Sequence, residues 1–278
     1  MVQSFSETET VKSVTESAEA GTPESFHCPG TSLEWVPTSL LDALTSRVLV
    51  ADGAMGTMLQ AVELDLDDFD GHEGCNEVLN VTRPDVVRAV HEAYLAAGAD
   101  CIETNTFGAN LGNLGEYGIE HRIRELAEAG ARLARECADK WSTPEQPRYV
   151  LGSVGPGTKL PTLGHASFRS LRDTYQECVS GLLTGGVDGL IIETCQDLLQ
   201  AKAAVIGARR AMAQVSRCVP VICQVTIETT GTMLLGSEIG AALTALEPLG
   251  IDLIGLNCAT GPAEMTEHLR YLSRHARI

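Results

Sequence analysis

The sequence predicts an α/β fold built on a parallel sheet, and three observations support this prediction. From Arg47 onward, short β-branched runs alternate with longer segments of helical periodicity, and no hairpin signal separates them. Polar residues stand at or just past the carboxyl end of each predicted strand. The chain has 278 residues and 44% apolar side chains, which is sufficient for one large domain with a sizeable core.

Six segments are predicted to be strands because each is a short run rich in β-branched residues. They span residues 48–51, 99–102, 149–151, 187–192, 221–224 and 251–256. The segments between them predict helices with recognisable starts. These starts are Thr82 as an N-cap before Pro84, Ser167 as an N-cap, and Gly261 followed by Pro262. The helix predicted at 120–141 interleaves Arg with Glu and is expected to form a solvated outer face.

Two architectures fit this alternation, a doubly wound sheet and a closed (β/α)8 barrel. The polar residues at the predicted strand ends are Asp52, Glu103, Ser153, Glu193, Gln224 and Asn257. In a barrel all of them converge on one mouth, whereas a doubly wound sheet gathers only two or three at its crevice. No GxGxxG motif follows the first strand, which also disfavours a dinucleotide-binding fold. We therefore predict the barrel.

Only about six of the eight β/α units of such a barrel are predicted for this chain. Asp52 and Asn257 mark the first and sixth strand ends, so each unit takes about 41 residues and two more would need about 80. The barrel domain is expected to span residues 39–278, ending before a seventh strand. Residues 1–38 hold six Glu and twelve Ser or Thr against one Lys, a composition that predicts a disordered acidic tail.

Charge and composition exclude several classes of function. The chain carries 37 acidic and 20 basic residues, and its net charge of −17 repels nucleic-acid backbones and anionic membranes. No apolar run of roughly 18 residues predicts a membrane span, and the first residues lack the pattern of a secretory signal. Nine cysteines without a CxxC pair indicate mostly free thiols in a reducing cytoplasm.

Three strand-end motifs are candidates for binding or chemistry. In Asp52-Gly53-Ala54-Met55 the turn exposes backbone N–H groups that can bind a carboxylate or phosphate, and Asp52 can bind an ammonium group. A purely structural turn with a helix-capping Asp is an equal alternative. Glu193 leaves an apolar strand and is more typical of a functional carboxylate than of a salt bridge between loops. Cys258 is either a small buried apolar residue or a metal ligand or nucleophile.

Six motifs, taken in order, give the sequence a family resemblance. They are VLVADGAMGTMLQ, GCNEVLNVTRPDVV, ETNTFGAN, GSVGPGTKLPTLGH, ETCQDL and IGLNCATGP. Over residues 41–278 the chain resembles the homocysteine-binding domain of the cobalamin-dependent methionine synthases, within the homocysteine S-methyltransferase family. The motif GPGTKLPTLGH is typical of those synthases rather than of the wider family.

The resemblance implies a (β/α)8 barrel that holds one zinc ion through three cysteine thiolates. Cys258 matches the first of these ligands, and the other two, a Cys-Cys pair, have no counterpart here. Asp52 and Glu193 match the carboxylates that hold the amino group of homocysteine, and the turn Gly53-Ala54-Met55 offers N–H groups to its carboxylate. The implied methyl donor is methylcobalamin on a separate domain, recharged from methyltetrahydrofolate. Neither the cobalamin-binding nor the folate-binding domain is found in this sequence.

We accordingly expect a methyltransferase module that binds homocysteine and activates its thiol through zinc, to give methionine. Two alternatives stay open. One is a stand-alone homocysteine methyltransferase that uses a sulfonium methyl donor, S-methylmethionine or S-adenosylmethionine. The other is a catalytically inactive barrel fragment, or a chain that binds a partner, which the missing units of the barrel favour.

Overall fold

The structure is a computed structural model that describes residues 39–278, so the tail predicted at 1–38 lies outside the described residues. Five parallel strands form its sheet. They are β1 (Cys101–Glu103), β2 (Tyr149–Val154), β3 (Gly189–Cys195), β4 (Val221–Val225) and β5 (Leu253–Leu256). Their order in space is their order in the chain, and helices connect each strand to the next.

The sequential strand order is that of a barrel wall, without the reversal that defines a doubly wound sheet. Within residues 39–278, β5 does not pair with β1, so the sheet is open. The α/β class and the parallel sheet are therefore confirmed. Closure into a barrel, and the number of β/α units, stay predictions.

The strand predicted at 48–51 is wrong, because this segment makes only an isolated parallel bridge between Ala51 and Cys101. Val50 O accepts hydrogen bonds from the N–H groups of Asp100 (2.7 Å) and Cys101 (3.1 Å). In the described part of the chain, β1 is its only sheet neighbour, and Val48 is 83% exposed. A β-branched run needs sheet neighbours to form an extended ladder, so five strands are found where six were predicted.

Three aspartates fix the register of the sheet, and we call them the register aspartates: Asp100, Asp188 and Asp252. Each follows a glycine of positive φ and a buried apolar residue, in the pattern Gly-apolar-Asp. Each donates its N–H to the carbonyl of one residue on the neighbouring segment, at 2.7–2.8 Å. Its Oδ2 accepts the N–H of that same residue, at 2.8–2.9 Å. The three residues bound in this way are Val50, Val150 and Val221.

These paired bonds explain where the predicted strand starts were misplaced. The runs predicted to begin at 99, 187 and 251 become strands at Cys101, Gly189 and Leu253. The first two residues of each run are instead the apolar residue and the aspartate of the turn. That apolar residue is buried, so in the sequence it resembles a strand residue. It nevertheless lies before the first residue of the strand.

Helices cover the connections between strands. They are α1 (Leu40–Ser46), α2 (Met55–Gln60), α3 (Leu79–Thr82), α4 (Pro84–Ala96), α5 (Leu111–Glu116), α6 (Ile123–Trp141), α7 (Phe168–Gly185), α8 (Leu198–Val215), α9 (Ile239–Leu246) and α10 (Pro262–His275). Short 3₁₀ turns span Asn76–Val78, Glu120–Arg122, Pro161–Leu163 and Glu247–Leu249. No helix among residues 39–278 combines the length and the apolar composition needed to cross a membrane.

Two of the three predicted helix starts are confirmed. Ser167 caps α7 by accepting the N–H of Ser170 at 3.0 Å, and Gly261 precedes Pro262 at the start of α10. The predicted N-cap Thr82 is wrong, since α4 begins after Arg83 without a side-chain cap. Thr82 is instead the last residue of α3, and its hydroxyl donates to backbone carbonyls of the preceding segment, while Arg83 occupies the N-cap position of α4.

The core lies between the sheet and the row of helices α6, α7 and α8. The solvated outer face predicted at 120–141 is found on only one side of α6, where Glu128 and Arg132 form an ion pair. The opposite side of α6 is buried and includes glycine and alanine residues. Close packing extends to α8, where a Cβ on Gly207 would lie 2.7 Å from Arg172 O of α7. Small residues on these helices therefore let their backbones approach closely.

We predict that Asp252→Ala lowers the free energy of unfolding by about 1–3 kcal/mol, because the buried N–H of Val221 loses its side-chain acceptor. The matched control Asp252→Asn keeps an oxygen that can accept this N–H and should lose less than half as much. Chemical denaturation of the chain measures both values. Equal losses in the two variants would contradict the assignment of Asp252 as a register residue.

Candidate functional site

The carboxyl ends of the strands open on a cavity of about 480 Å³. The site residues named from the sequence all line it, although they come from three distant parts of the chain. They are Asp52, Gly53, Ala54 and Met55 from the turn before α2, Glu193 from β3, and Cys258 after β5. The structure thus brings the candidate residues into one place, as expected for strand ends of a parallel sheet.

Asp52 is held by one of its two carboxylate oxygens. Its Oδ2 accepts the backbone N–H of Glu103 at 3.0 Å, whereas Oδ1 is buried and has no hydrogen-bond partner within residues 39–278. Burial raises the pKa of Asp52 to about 7, against the opposing effect of the bond from Glu103. Asp52 does not cap α2, whose N-cap is Ala54, so the structural alternative for this aspartate is not what the chain adopts.

Glu193 lies at the centre of the cavity wall and is only 9% exposed. Its Oε1 accepts the hydroxyl of Ser153 on β2 at 2.6 Å, and its Oε2 accepts the amide of Asn257 at 3.4 Å. Burial raises the pKa of Glu193 and that of its neighbour Glu103. The negative charges of Glu193 and Asp52 raise the pKa of Glu103 further.

Four carboxyl groups share this cavity without a cationic side chain to balance them. Asp52, Glu77, Glu103 and Glu193 line it, and none of the described residues that line it is Lys, Arg or His. Buried carboxylates are normally paired with a cation because isolation from water disfavours their charge. The arrangement suits a ligand that brings its own positive charge, such as an amine.

The turn that begins at Asp52 is fixed by close contact with α4. A Cβ on Gly53 would lie 2.9 Å from the Tyr94 hydroxyl oxygen, so glycine is required here by the approach of the ring. The same hydroxyl donates to Ala54 O at 3.3 Å. The turn is thereby held against the cavity, with its backbone on the lining surface.

Cys258 differs from the six other free cysteines of the described chain, which are all buried. It is exposed, its backbone has a left-handed φ of 60°, and its Sγ lies 3.8 Å from Thr194 Oγ1. The alternative of a small buried apolar residue is therefore wrong for this cysteine. Its thiol is accessible from the cavity, where a ligand or a metal ion can reach it.

The described residues do not form a complete zinc site. A structural or catalytic zinc ion takes at least three protein ligands, and no group of three His, Cys, Asp or Glu is placed to bind a metal within residues 39–278. Burial raises the pKa of the Cys75 and Cys101 thiols to about 12, so these cysteines stay protonated. Cys258 is thus a single candidate ligand.

Further residues line the cavity besides the candidate site residues named from the sequence. Among them are Glu103, Ser153 and Thr194, and Asn257 contacts two members of the cavity wall. Their position at strand ends was the available signal for Glu103, Ser153 and Asn257. The same signal was misleading for Gln224, which does not line the cavity.

The loop after β2, which carries GPGTKLPTLGH, makes hydrogen bonds that support the cavity wall. Pro156 O accepts hydrogen bonds from the Tyr175 hydroxyl (2.9 Å) and from the Gln200 amide. Gly155 donates its N–H to Phe107 O at 3.2 Å, and Phe107 lines the cavity. The loop therefore links the two packed helices α7 and α8 to the segment after β1.

This fold and cavity belong to a known class of protein. The sequence model of the family described as homocysteine S-methyltransferase matches residues 49–278. The chain therefore belongs to the homocysteine S-methyltransferase family, a family of methyltransferases, and the resemblance inferred from its motifs is confirmed.

Two curated relatives are methionine synthases of mycobacteria. The chain is 66% identical over 241 residues to methionine synthase of Mycobacterium tuberculosis, and 65% identical over 241 residues to that of Mycobacterium leprae. In both cases the match covers 87% of this chain and 20% of the relative. The chain thus spans about a fifth of the length of these relatives.

The fold is also similar to that of a solved homocysteine methyltransferase, MmuM from Escherichia coli. Its metallated form aligns with a TM-score of 0.69 and 24% identity, covering 84% of this chain and 82% of that one. Its apo form gives a TM-score of 0.65 with the same identity. At this level of identity the likeness establishes the fold alone.

The raised pKa of Asp52 predicts that the free energy of unfolding falls as pH rises. The pKa of Asp52 is about 7 when folded, against an ordinary value of about 4, so the native state binds more protons than the unfolded state between these values. The free energy of unfolding should therefore decrease from about pH 4 to pH 7 on account of this group. Asp52→Asn should flatten this decrease and add about 1 kcal/mol or more of stability at pH 8.

Denaturation of the chain at a series of pH values provides the measurement. The control Glu63→Gln removes one carboxylate at an exposed position and should leave the pH dependence unchanged. If Asp52→Asn has the same pH dependence as the unaltered chain, Asp52 is not the buried, weakly acidic group inferred here.

Proposed function

We propose that this chain binds homocysteine in the 480 Å³ cavity and presents its thiol for methylation, as the homocysteine-binding part of a methionine synthase. The observation that carries the proposal is the set of buried and half-buried carboxyl groups without a cationic partner in the described cavity wall, beside an exposed thiol. Family membership and the mycobacterial relatives support the choice of ligand.

The chemistry of homocysteine matches the cavity group by group. Its ammonium can bind between Asp52, whose Oδ1 has no hydrogen-bond partner in the described chain, and Glu193. Its carboxylate can accept N–H groups of the turn Gly53-Ala54-Met55. Its thiol then extends toward Cys258 at the end of β5. A cation from the ligand offsets the unfavourable burial of the carboxylates, so binding stabilises the folded chain.

Zinc and methylcobalamin enter this proposal through the resemblance. Cys258 is our candidate for one thiolate of a zinc site, and the described residues supply no complete set of ligands, so we derive no step through the metal. Methylcobalamin on a separate domain, recharged from methyltetrahydrofolate, is the donor proposed for the whole enzyme. No described residue is assigned to that donor.

We predict that Asp52→Asn and Glu193→Gln each weaken the binding of L-homocysteine about tenfold or more, because a charge-assisted hydrogen bond contributes roughly 1.5–3 kcal/mol. Calorimetric titration of the chain gives the dissociation constants. Both substitutions nearly preserve side-chain size and keep one acceptor oxygen, while the second oxygen becomes an NH2 donor, so they remove charge with little change in shape.

The matched control is Gln224→Met, at a strand-end amide that does not line the cavity. It should leave the affinity within about twofold of the unaltered chain. Unchanged affinity in both carboxylate variants would show that homocysteine does not bind through these groups.

A separate prediction concerns the metal. The purified chain should not hold one equivalent of zinc against a competing chelator, because one thiolate cannot supply the coordination that tight binding needs. It should accordingly fail to methylate homocysteine when given free methylcobalamin or S-methylmethionine. Metal analysis and product assay test these points together. One tightly bound zinc that is lost in Cys258→Ser would overturn the prediction and indicate a stand-alone enzyme.

A further inference from the structure

The Asn257 side chain connects the ends of β3 and β5 at the cavity. Its Oδ1 accepts the backbone N–H of Thr194 at 2.8 Å. Its Nδ2 donates to Thr194 Oγ1 at 2.8 Å and to Glu193 Oε2 at 3.4 Å. Both polar atoms of the amide are thus used on two successive residues that lie more than sixty positions earlier in the chain.

The residues joined in this way have strained backbones. Thr194 has φ = 56°, and on the other side of the contact Cys258 has φ = 60°. A β-branched residue in the left-handed region is a marked outlier, so the surroundings must hold it there. The two bonds from Asn257 to Thr194 are the specific polar contacts that do so.

The same amide helps to orient the Glu193 carboxylate. Ser153 on β2 donates to Oε1 and Asn257 after β5 donates to Oε2, so the two oxygens are held from opposite sides. A carboxylate held by donors on both oxygens has fewer accessible rotamers than one held on a single oxygen. Its direction in the cavity is therefore set by residues of β2 and of the segment after β5, as well as by β3 itself.

We propose that Asn257 is the positioning residue of this site, an inference that rests on the proposed function. Its amide fixes the left-handed turn at Thr194, and through that turn it sets both the Glu193 carboxylate that binds the substrate ammonium and the Cys258 thiol at the cavity mouth. Asparagine suits this place because it offers a donor and an acceptor on one short side chain. Neither a carboxylate nor an aliphatic residue can make the same set of contacts.

Binding of two ligands distinguishes a role of Asn257 in positioning Glu193 from a general loss of structure. L-homocysteine carries the ammonium, and 4-mercaptobutyrate is the same molecule without its amino group. If Asn257 acts through Glu193, Asn257→Ala should weaken L-homocysteine at least fivefold and 4-mercaptobutyrate less than twofold. Equal weakening of both ligands, or of neither, would overturn the proposal. Gln224→Met is the control, and Asn257→Ser replaces the alanine variant if that variant does not fold.

A second measurement needs no ligand. Cys258 is the exposed member among the free cysteines of the described chain, so its alkylation by iodoacetamide can be followed by mass spectrometry of its peptide. Asn257→Ala should raise the rate at Cys258 at least threefold, because the turn that holds the thiol against Thr194 is released. Gln224→Met leaves the Asn257 contacts intact and should keep a rate within twofold of the unaltered chain.

These two measurements also distinguish the positioning role from the proposed function. If the unaltered chain binds neither ligand, the proposed function fails, and the alkylation rates alone decide the role of Asn257. An unchanged rate at Cys258 in Asn257→Ala would overturn the positioning role even where homocysteine binds normally.

Discussion

Paired hydrogen bonds from the three register aspartates are the constraint on which the rest of this structure depends. Each binds the N–H and the carbonyl of one residue on the neighbouring segment, just before its own strand begins. Because parallel strands lack tight turns to set their alignment, this contact at the amino end fixes which residues reach the carboxyl end. Asp188 aligns β3 with β2 in this way, and Ser153 and Glu193 at the carboxyl ends of these two strands line one cavity.

The cavity itself is unfavourable to the fold when no cation is bound. Burial raises the pKa of Asp52, Glu103 and Glu193, so the empty site favours protonated carboxyls, and at higher pH their charge costs stability. A ligand that carries an ammonium group removes this penalty and gains charge-assisted hydrogen bonds. The same feature is the basis of both the predicted pH dependence of stability and the proposed binding of an amino acid.

Strained backbones and side-chain hydrogen bonds occur together at the carboxyl ends of β3 and β5. Thr194 and Cys258 adopt left-handed backbones next to each other in the cavity wall, and Asn257 joins the two segments. Strained residues of this kind persist where the surrounding contacts over-determine them, and such places are often functional sites. Here the contacts connect the end of the cavity suited to an ammonium with the end that exposes a thiol.

The sequence by itself determined those features that depend on neighbouring residues. The α/β class, the starts of α7 and α10, and the candidate residues at strand ends all follow from local periodicity and capping, which act over a few positions. The family resemblance also came from short motifs, and it named Asp52, Glu193 and Cys258 as candidates that the structure places in one cavity.

Tertiary structure decided whatever depends on partners distant in the chain. Residues 48–51 have strand-like composition but only one sheet neighbour in the described chain, so they form a bridge rather than a strand. Thr82 ends α3, where its hydroxyl donates to Asp68 O, and Arg83 occupies the N-cap position of α4. The exposure of Cys258 and the hydrogen bonds between Asn257 and Thr194 arise only when β3 and β5 are brought together. Such contacts produce no periodic pattern in the sequence, because hydrogen bonding and burial across the sheet depend on distance in space and not on separation along the chain.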